Sequence, residues 1–257
     1  YYGSWYTQPI VARVLDDGGD EHLDQQLEAI NRHEAMLAAE GVLILKFWLH
    51  LSKSQQRQRL KKLESDPDTR WRVTREDWRR FKSYESFREV SARALRETST
   101  VAAPWVVVPG LCRRYRALAV GRSALTALQQ RLAASGSAAS LQPTVLPSVV
   151  RARGVLEGLQ LHQQLSKPRY EAQLEKWQGQ LALLSRNKRL RDRSLVVVFE
   201  GWDAAGKGSA IRRVTAALDA RHYKVIPVAA PSEEERAQPY LWRFWRQLPR
   251  HGQMVIF

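Results

Sequence analysis

Cysteine is almost absent from this 257-residue chain: Cys112 stands alone, so no internal disulfide can form and a reducing, cytoplasmic setting is the expectation. Apolar runs are short. The longest, Ser194 to Phe199, has the length of a buried strand and falls far short of the roughly 20 residues that span a bilayer, so no membrane partner is expected. The opening residues do not read as a secretory signal. Methionine is scarce too: the first is Met36, the chain opens on Tyr1, and Met254-Val-Ile-Phe257 breaks off inside an apolar run. An excerpt of a longer protein is therefore expected. Acidic residues are missing wherever the chain is most one-sided, with 5 basic and no acidic residues between 101 and 150.

What is present is ordinary globular composition, 44% hydrophobic and 26% charged, with a formal charge of +15. Disordered and collagen-like classes are excluded. The excess charge points to a polyanionic partner, although nucleic acid, a membrane surface and a phosphate-rich substrate would all satisfy it. It is concentrated in residues 51–100, which hold 14 basic against 8 acidic residues, part of it a solvated helical face.

Periodicity and punctuation predict a helix around Leu23, Leu27 and Ile30 and a buried strand over 41–49. A basic helix from Ser52 to Leu63 follows, with Ser52 or Ser54 as its N-cap and a break at Asp66-Pro-Asp68. Thr74 and Asp77 have the spacing of a capping box that starts another helix. A strand over 104–109 and a helix over 113–132 follow. Small residues and proline then dominate 133–150, which marks a linker. Beyond it come a helix over 170–184, strands at 195–199 and 224–228, a helix over 207–218, and a helix over 239–248 whose Trp242 and Trp245 are expected in the core. Strands alternating with helices give an α/β fold with a parallel sheet.

The chemistry sits in Leu195-Val-Val-Val-Phe-Glu-Gly201-Trp-Asp203-Ala-Ala-Gly206-Lys207-Gly208-Ser209. A strand, a glycine-rich loop and a helix with the spacing Gly201-x4-Gly206-Lys207 form a P-loop, in which backbone amides and a helix N-terminus surround phosphate. Lys207 supplies a full charge at the transferring phosphoryl group. Gly201, Ala204, Ala205, Gly206, Gly208 and Ser209 line the expected phosphate cradle, with Arg212 and Arg243 as neutralising arginines. Most P-loops place a magnesium-holding Ser or Thr directly after the lysine. Here that position is Gly208, so Asp203 is the expected metal or phosphate-positioning acid and Mg2+ the implied cofactor.

These residues resemble polyphosphate kinase family 2. The resemblance rests on Phe199-Glu-Gly-Trp-Asp-Ala-Ala-Gly-Lys-Gly208, Ala230-Pro-Ser-Glu-Glu-Glu-Arg236 and Tyr240-Leu-Trp-Arg-Phe-Trp245. Lys46-Phe-Trp-Leu-His-Leu-Ser-Lys53, Asp66-Pro-Asp-Thr-Arg-Trp71 and Ala103-Pro-Trp-Val-Val-Val-Pro109 add to it. It is strongest toward the two-domain class II members, which move a phosphoryl group from inorganic polyphosphate to AMP, giving ADP. It implies a P-loop kinase-like sheet with a helical lid, polyphosphate and AMP or ADP as partners, no nucleic acid, and a homo-oligomer. Family domains run P-loop first and lid second, whereas here the lid comes first. The expected organisation is therefore two incomplete domains: 1–132 as the back half of a degenerate first domain, 133–164 as linker, and 165–257 as the front half of a catalytic second one. The family continues after a strand like Ile256-Phe257 with an Asp-Arg-Ser-Trp-Tyr-Gly-Arg segment. Tyr2-Gly3-Ser4-Trp5-Tyr6-Thr7-Gln8 resembles a relic of that segment without its acid and arginines, which is why the first domain is read as degenerate; the chain stops short of the second such segment after Phe257, and the isolated chain is accordingly expected to be inactive. An ATP-dependent nucleoside monophosphate kinase and a non-catalytic polyanion-binding fragment stay open as alternatives.

Overall fold

The computed structural model describes residues 3–15, 19–133, 156 and 158–257. Five strands form one all-parallel sheet: β1 (Leu43–His50), β2 (Trp105–Pro109), β3 (Leu195–Gly201), β4 (Tyr223–Val225) and β5 (Met254–Ile256), in the order β2-β1-β3-β5-β4. Their sequences are continuous apolar runs, as strands covered on both faces require. Every residue of β3 except Gly201 is buried, and Phe47 of β1 stacks on Phe199 of β3 with ring centroids 5.3 Å apart.

Helices α1 (Thr7–Leu15) and α2 (Asp20–Ala39) precede the sheet. The lid side follows β1 as α3 (Lys53–Ser65), α4 (Arg75–Lys82) and α5 (Tyr84–Thr98), and α6 (Arg113–Ala133) comes after β2. The second part adds α7 (Lys167–Ser185), α8 (Lys207–Thr215) and the single turns α9 (Glu233–Arg236) and α10 (Trp242–Trp245). Local signals placed these elements well. Ser52 caps α3 with Gln55 completing the box, and Thr74 and Asp77 do the same for α4. Helix α5 has no such signal and was not anticipated; it forms because Tyr84, Phe87, Ser91, Leu95 and Thr98 recur on one buried face. The expected helix over 239–248 shrinks to α10. There Phe244 is buried while Trp245 is 46% exposed, so the core position falls between the two tryptophans rather than on both.

Two incomplete domains are not what the strands form. Strand β1, from the first part of the chain, pairs along its length with β3 from the second, from Leu43 opposite Leu195 to Leu49 opposite Gly201. Helix α6 packs against both α7 and α8. Separating the parts would bare two central strand edges, each a row of backbone donors and acceptors that a buried position cannot leave unpaired. The last residue, Phe257, meets Trp5 with ring centroids 5.4 Å apart, and the Tyr240 hydroxyl donates to the Trp5 carbonyl at 2.8 Å. The elements of one kinase-like sheet thus occur in permuted chain order. Most of the expected linker, 134–155, lies outside the described residues.

A shared sheet has a measurable consequence. Amide hydrogen exchange in β1 and β3 should show one common opening free energy, and heating should melt both parts in a single transition. Independent loss of protection in one strand would contradict the shared core.

Candidate active site

The loop that leaves β3 is shaped by two glycines. Gly201 has φ +130°, and a Cβ there would collide with the Leu49 carbonyl of the neighbouring strand; Gly206 caps α8 at φ +95°, with the Arg116 guanidinium where a Cβ would lie. Between them Ala204 also takes a left-handed φ of 61°, a conformation that costs a non-glycine residue about 1 kcal/mol and recurs at functional loops. Among the described residues, the backbone amides of Ala204, Gly206, Lys207 and Gly208 have no hydrogen-bond partner. With the N-terminus of α8, these unmet donors make the loop a candidate anion site. Lys207 curls over it, its Nζ donating to the carbonyls of Gly201 at 2.6 Å and Trp202 at 3.4 Å. Both bonds are to backbone oxygens that an incoming phosphate would outbid.

The lid reaches the loop. Arg80 of α4 lies 3.6 Å from the Asp203 carboxylate. Trp202 is sandwiched by α5, stacking on Tyr84 at 4.3 Å and meeting Phe87 edge-on, and its indole donates to His50 Nδ1 at 2.9 Å. That bond places the imidazole proton on Nε2. Arg59 of α3 and Arg116 of α6 both donate to the Gly110 carbonyl beyond β2, so several arginines converge on the strand ends beside the loop. Burial, then the nearby Arg59, pulls the Arg116 pKa down to about 9, which still leaves it charged at neutral pH.

The remaining predicted residues separate. Ala205 is buried beneath the loop. Ser209 Oγ donates to Gly206 O at 2.9 Å and accepts from Arg116 at 2.6 Å, so its hydroxyl is committed to shaping the loop. Arg212 is exposed on α8 with no side-chain partner among the described residues. Arg243 is held by Glu235 at 3.3 Å and by the Ala229 carbonyl at 2.9 Å. Asp203 is partly exposed at the loop mouth and fits magnesium, which binds through one or two carboxylates together with substrate phosphates. Among the described residues no group of three or more His, Cys, Asp or Glu side chains could hold a metal ion.

One residue at the base of the loop escaped the sequence reading. Glu200, the last buried residue of β3, accepts at Oε1 from the Ser4 amide, the Ser4 hydroxyl and the Thr7 hydroxyl, each at 2.7 Å. Burial raises its pKa, while the positive charge of Lys207 opposes that rise. The Ser4-Trp5-Tyr6 segment therefore sits directly under the P-loop, after β5. Only the tertiary fold brings it there, since 196 residues separate Ser4 from Glu200.

His50 and His33 are both buried. Burial lowers each pKa to about 4, with Arg88 adding to the effect at His50. In the unfolded chain each titrates near 6.5. Between these values the unfolded state binds protons that the folded state refuses. Their stabilisation is thus complete above about pH 6.5 and is lost as pH falls toward 4, on the order of 2–3 kcal/mol per histidine. Urea midpoints at pH 7 and pH 4.5 measure the loss. The His33→Gln/His50→Gln double variant should flatten much of it, and an unchanged pH slope would refute the assignment.

Comparison with known proteins shows what the chain is similar to. The profile described as polyphosphate kinase 2 matches residues 1–135 and 164–257. A Pseudomonas aeruginosa protein named polyphosphate:AMP phosphotransferase is 51% identical over 100% of the chain and 52% of its own length. Its namesake from Pseudomonas syringae pv. tomato is 45% identical over 100% of the chain and 52% of its length. A crystal structure of a Pseudomonas aeruginosa polyphosphate kinase 2 aligns with 99% of the chain and 48% of its own at 47% identity, with a TM-score of 0.43. The chain thus spans about half the length of the curated relatives it matches. The two sequence matches run along the whole chain, whose two parts share one sheet. No described helix is long and apolar enough to cross a membrane. On the P-loop, the lid beside it and these matches, the chain belongs to the polyphosphate kinase 2 family.

Proposed function

We propose that this chain transfers the terminal phosphoryl group of inorganic polyphosphate to AMP, giving ADP and a polyphosphate one unit shorter. The observation that carries the reading is the P-loop cradle of unpaired amides and Lys207, closed from the lid side by Arg80 at Asp203. The names of the two Pseudomonas relatives support it. In the transfer, an oxygen of the AMP phosphate forms a bond to the terminal phosphorus while the bond from that phosphorus to its bridging oxygen breaks. Such a reaction needs positioning and charge neutralisation more than covalent help.

The amides of Ala204, Gly206, Lys207 and Gly208 would hold the equatorial oxygens, and Lys207, leaving the carbonyls of Gly201 and Trp202, would meet the charge that moves to the leaving oxygen. Asp203 would hold magnesium, which when bound would neutralise phosphate charge. Arg80, with the further arginines of the lid side, would balance the polyanion. A net charge of +15 suits a polymeric donor better than a single nucleotide.

The test supplies the chain with AMP, magnesium and either polyphosphate or ATP as sole donor. ADP from polyphosphate is the expected result. Turnover with ATP alone would move the chain to the ATP-dependent kinases. Salt-sensitive polyanion binding without any turnover would reduce it to a binding module.

A further inference from the structure

The P-loop lies at the carboxyl end of β3. At the opposite, amino end of β3, β4 and β5 is a cavity of about 640 Å3, between the end of α7 and the segments that lead into the three strands. That volume is in the range of small-molecule sites. Its walls include Arg186, Arg191, Arg221, His222 and His251, against the single acid Asp219. Asp219 is already neutralised, because Arg221 grips it through Nη2 at 2.7 Å and Nε at 3.0 Å. Arg186 and Arg191 are exposed, and neither guanidinium has a partner among the described residues. They belong to a run, 186–193, that holds five basic residues and one acidic. The C-terminal carbonyls of α7 would oppose an anion, but those of Leu183 and Leu184 already accept from the amides of Arg186 and Asn187.

We propose that this cavity is a second phosphate-binding site, which docks a distant stretch of the same inorganic polyphosphate chain whose end is processed at the P-loop. The proposal rests on the reading of polyphosphate as donor. Its chemistry favours bare phosphate over nucleic acid: no Phe, Tyr or Trp lines the cavity, so bases find no aromatic platform on which to stack. Strand β3 is seven residues long, which separates the two sites by about 20 Å or more. A short donor can fill only the P-loop, whereas a long one can engage both and gain from the raised effective concentration of its own end.

The experiment uses the full chain and the Arg186→Ala/Arg191→Ala double variant, whose changes fall on exposed side chains without partners, and whose melting curve should match the parent. Binding of end-labelled long-chain polyphosphate is followed by fluorescence anisotropy across a salt series, and ADP formation is driven by tripolyphosphate or by long-chain polyphosphate. The double variant should bind the long chain about tenfold more weakly, with a salt slope smaller by about 2, in line with two lost phosphate contacts. Its KM for long-chain donor should rise with kcat unchanged, while both constants with tripolyphosphate stay as in the parent. Equal long-chain affinity and salt slope in the two proteins would overturn the proposal, as would an equal loss of tripolyphosphate turnover. Labelled oligothymidylate that binds as tightly as polyphosphate and weakens equally in the variant would overturn the preference for inorganic phosphate. If neither donor yields ADP from AMP while the binding loss persists, the transfer reading fails and the docking site stands. Intact transfer without any binding loss gives the reverse.

Discussion

Replacing Lys207 by alanine should lower ADP formation from polyphosphate and AMP by about 10²–10³-fold, the loss typical when a preorganised charge-stabilising group is removed from a transfer site. The effect should fall on kcat, because Lys207 is worth most where negative charge shifts onto the leaving oxygen. The fold should barely notice. Lys207 is only partly buried and its two bonds are to loop carbonyls that water can also satisfy. Arginine at the same position keeps the charge but brings a planar fork too large for the cradle, so Lys207→Arg should recover little. Steady-state ADP formation with a parallel thermal melt separates the two effects. A variant with unchanged kcat would remove Lys207, and with it the P-loop, from the reaction.

The largest effect on stability is expected far from the loop. Lys46 of β1 is fully buried and paired with the buried Glu34 of α2 at 2.6 Å; it also donates to the Thr98 carbonyl at 2.7 Å and the Tyr6 hydroxyl at 3.0 Å. Glu34 accepts in turn from Tyr6 at 2.6 Å and from the Trp5 indole at 3.0 Å. Burial lowers the Lys46 pKa while Glu34 opposes that shift, so the ammonium depends on its partner to stay charged. Glu34→Ala should therefore cost about 3–5 kcal/mol, because it leaves an uncompensated charge in the core. In a chain of this size that corresponds to a drop of roughly 10 °C in Tm. The Glu34→Leu/Lys46→Met double variant should lose less than the two singles added together, since no isolated charge remains. A simple sum would show that the two side chains are not coupled.

The network also bears on the site. It pins Trp5 and Tyr6, and through them the neighbouring Ser4 that holds Glu200 below the P-loop. The strand end that leads into the loop is thus held by a segment nearly two hundred residues earlier in the chain.

Interactions between near neighbours in the chain were legible from spacing. An N-cap at Ser52 or Ser54, the capping box of Thr74 with Asp77, the strand run 195–199 and the Gly201-x4-Gly206-Lys207 loop all follow from residue types close together in the chain. Helix α5 escaped because no cap or breaker announces it and its buried face mixes Ser91 and Thr98 with apolar residues. Trp242 and Trp245 misled because a single helical turn buries one side only, and Phe244 occupies it.

The sequence by itself determined the α/β class, the glycine-rich loop with its lysine after a buried strand, and the strongly basic balance of charge, because each depends on local backbone geometry or on total charge. Tertiary structure alone decided which strands pair, that β1 joins β3 across the two parts, that Glu200 meets Ser4 and Thr7, and that Arg80 faces Asp203. It also gathered the arginines and histidines of the distal cavity from three separate strand entrances. Those partners lie tens to nearly two hundred residues apart. Each could find other partners of the same chemistry along the chain, and only the simultaneous burial of both sheet faces, with every central strand edge paired, selects one set among them.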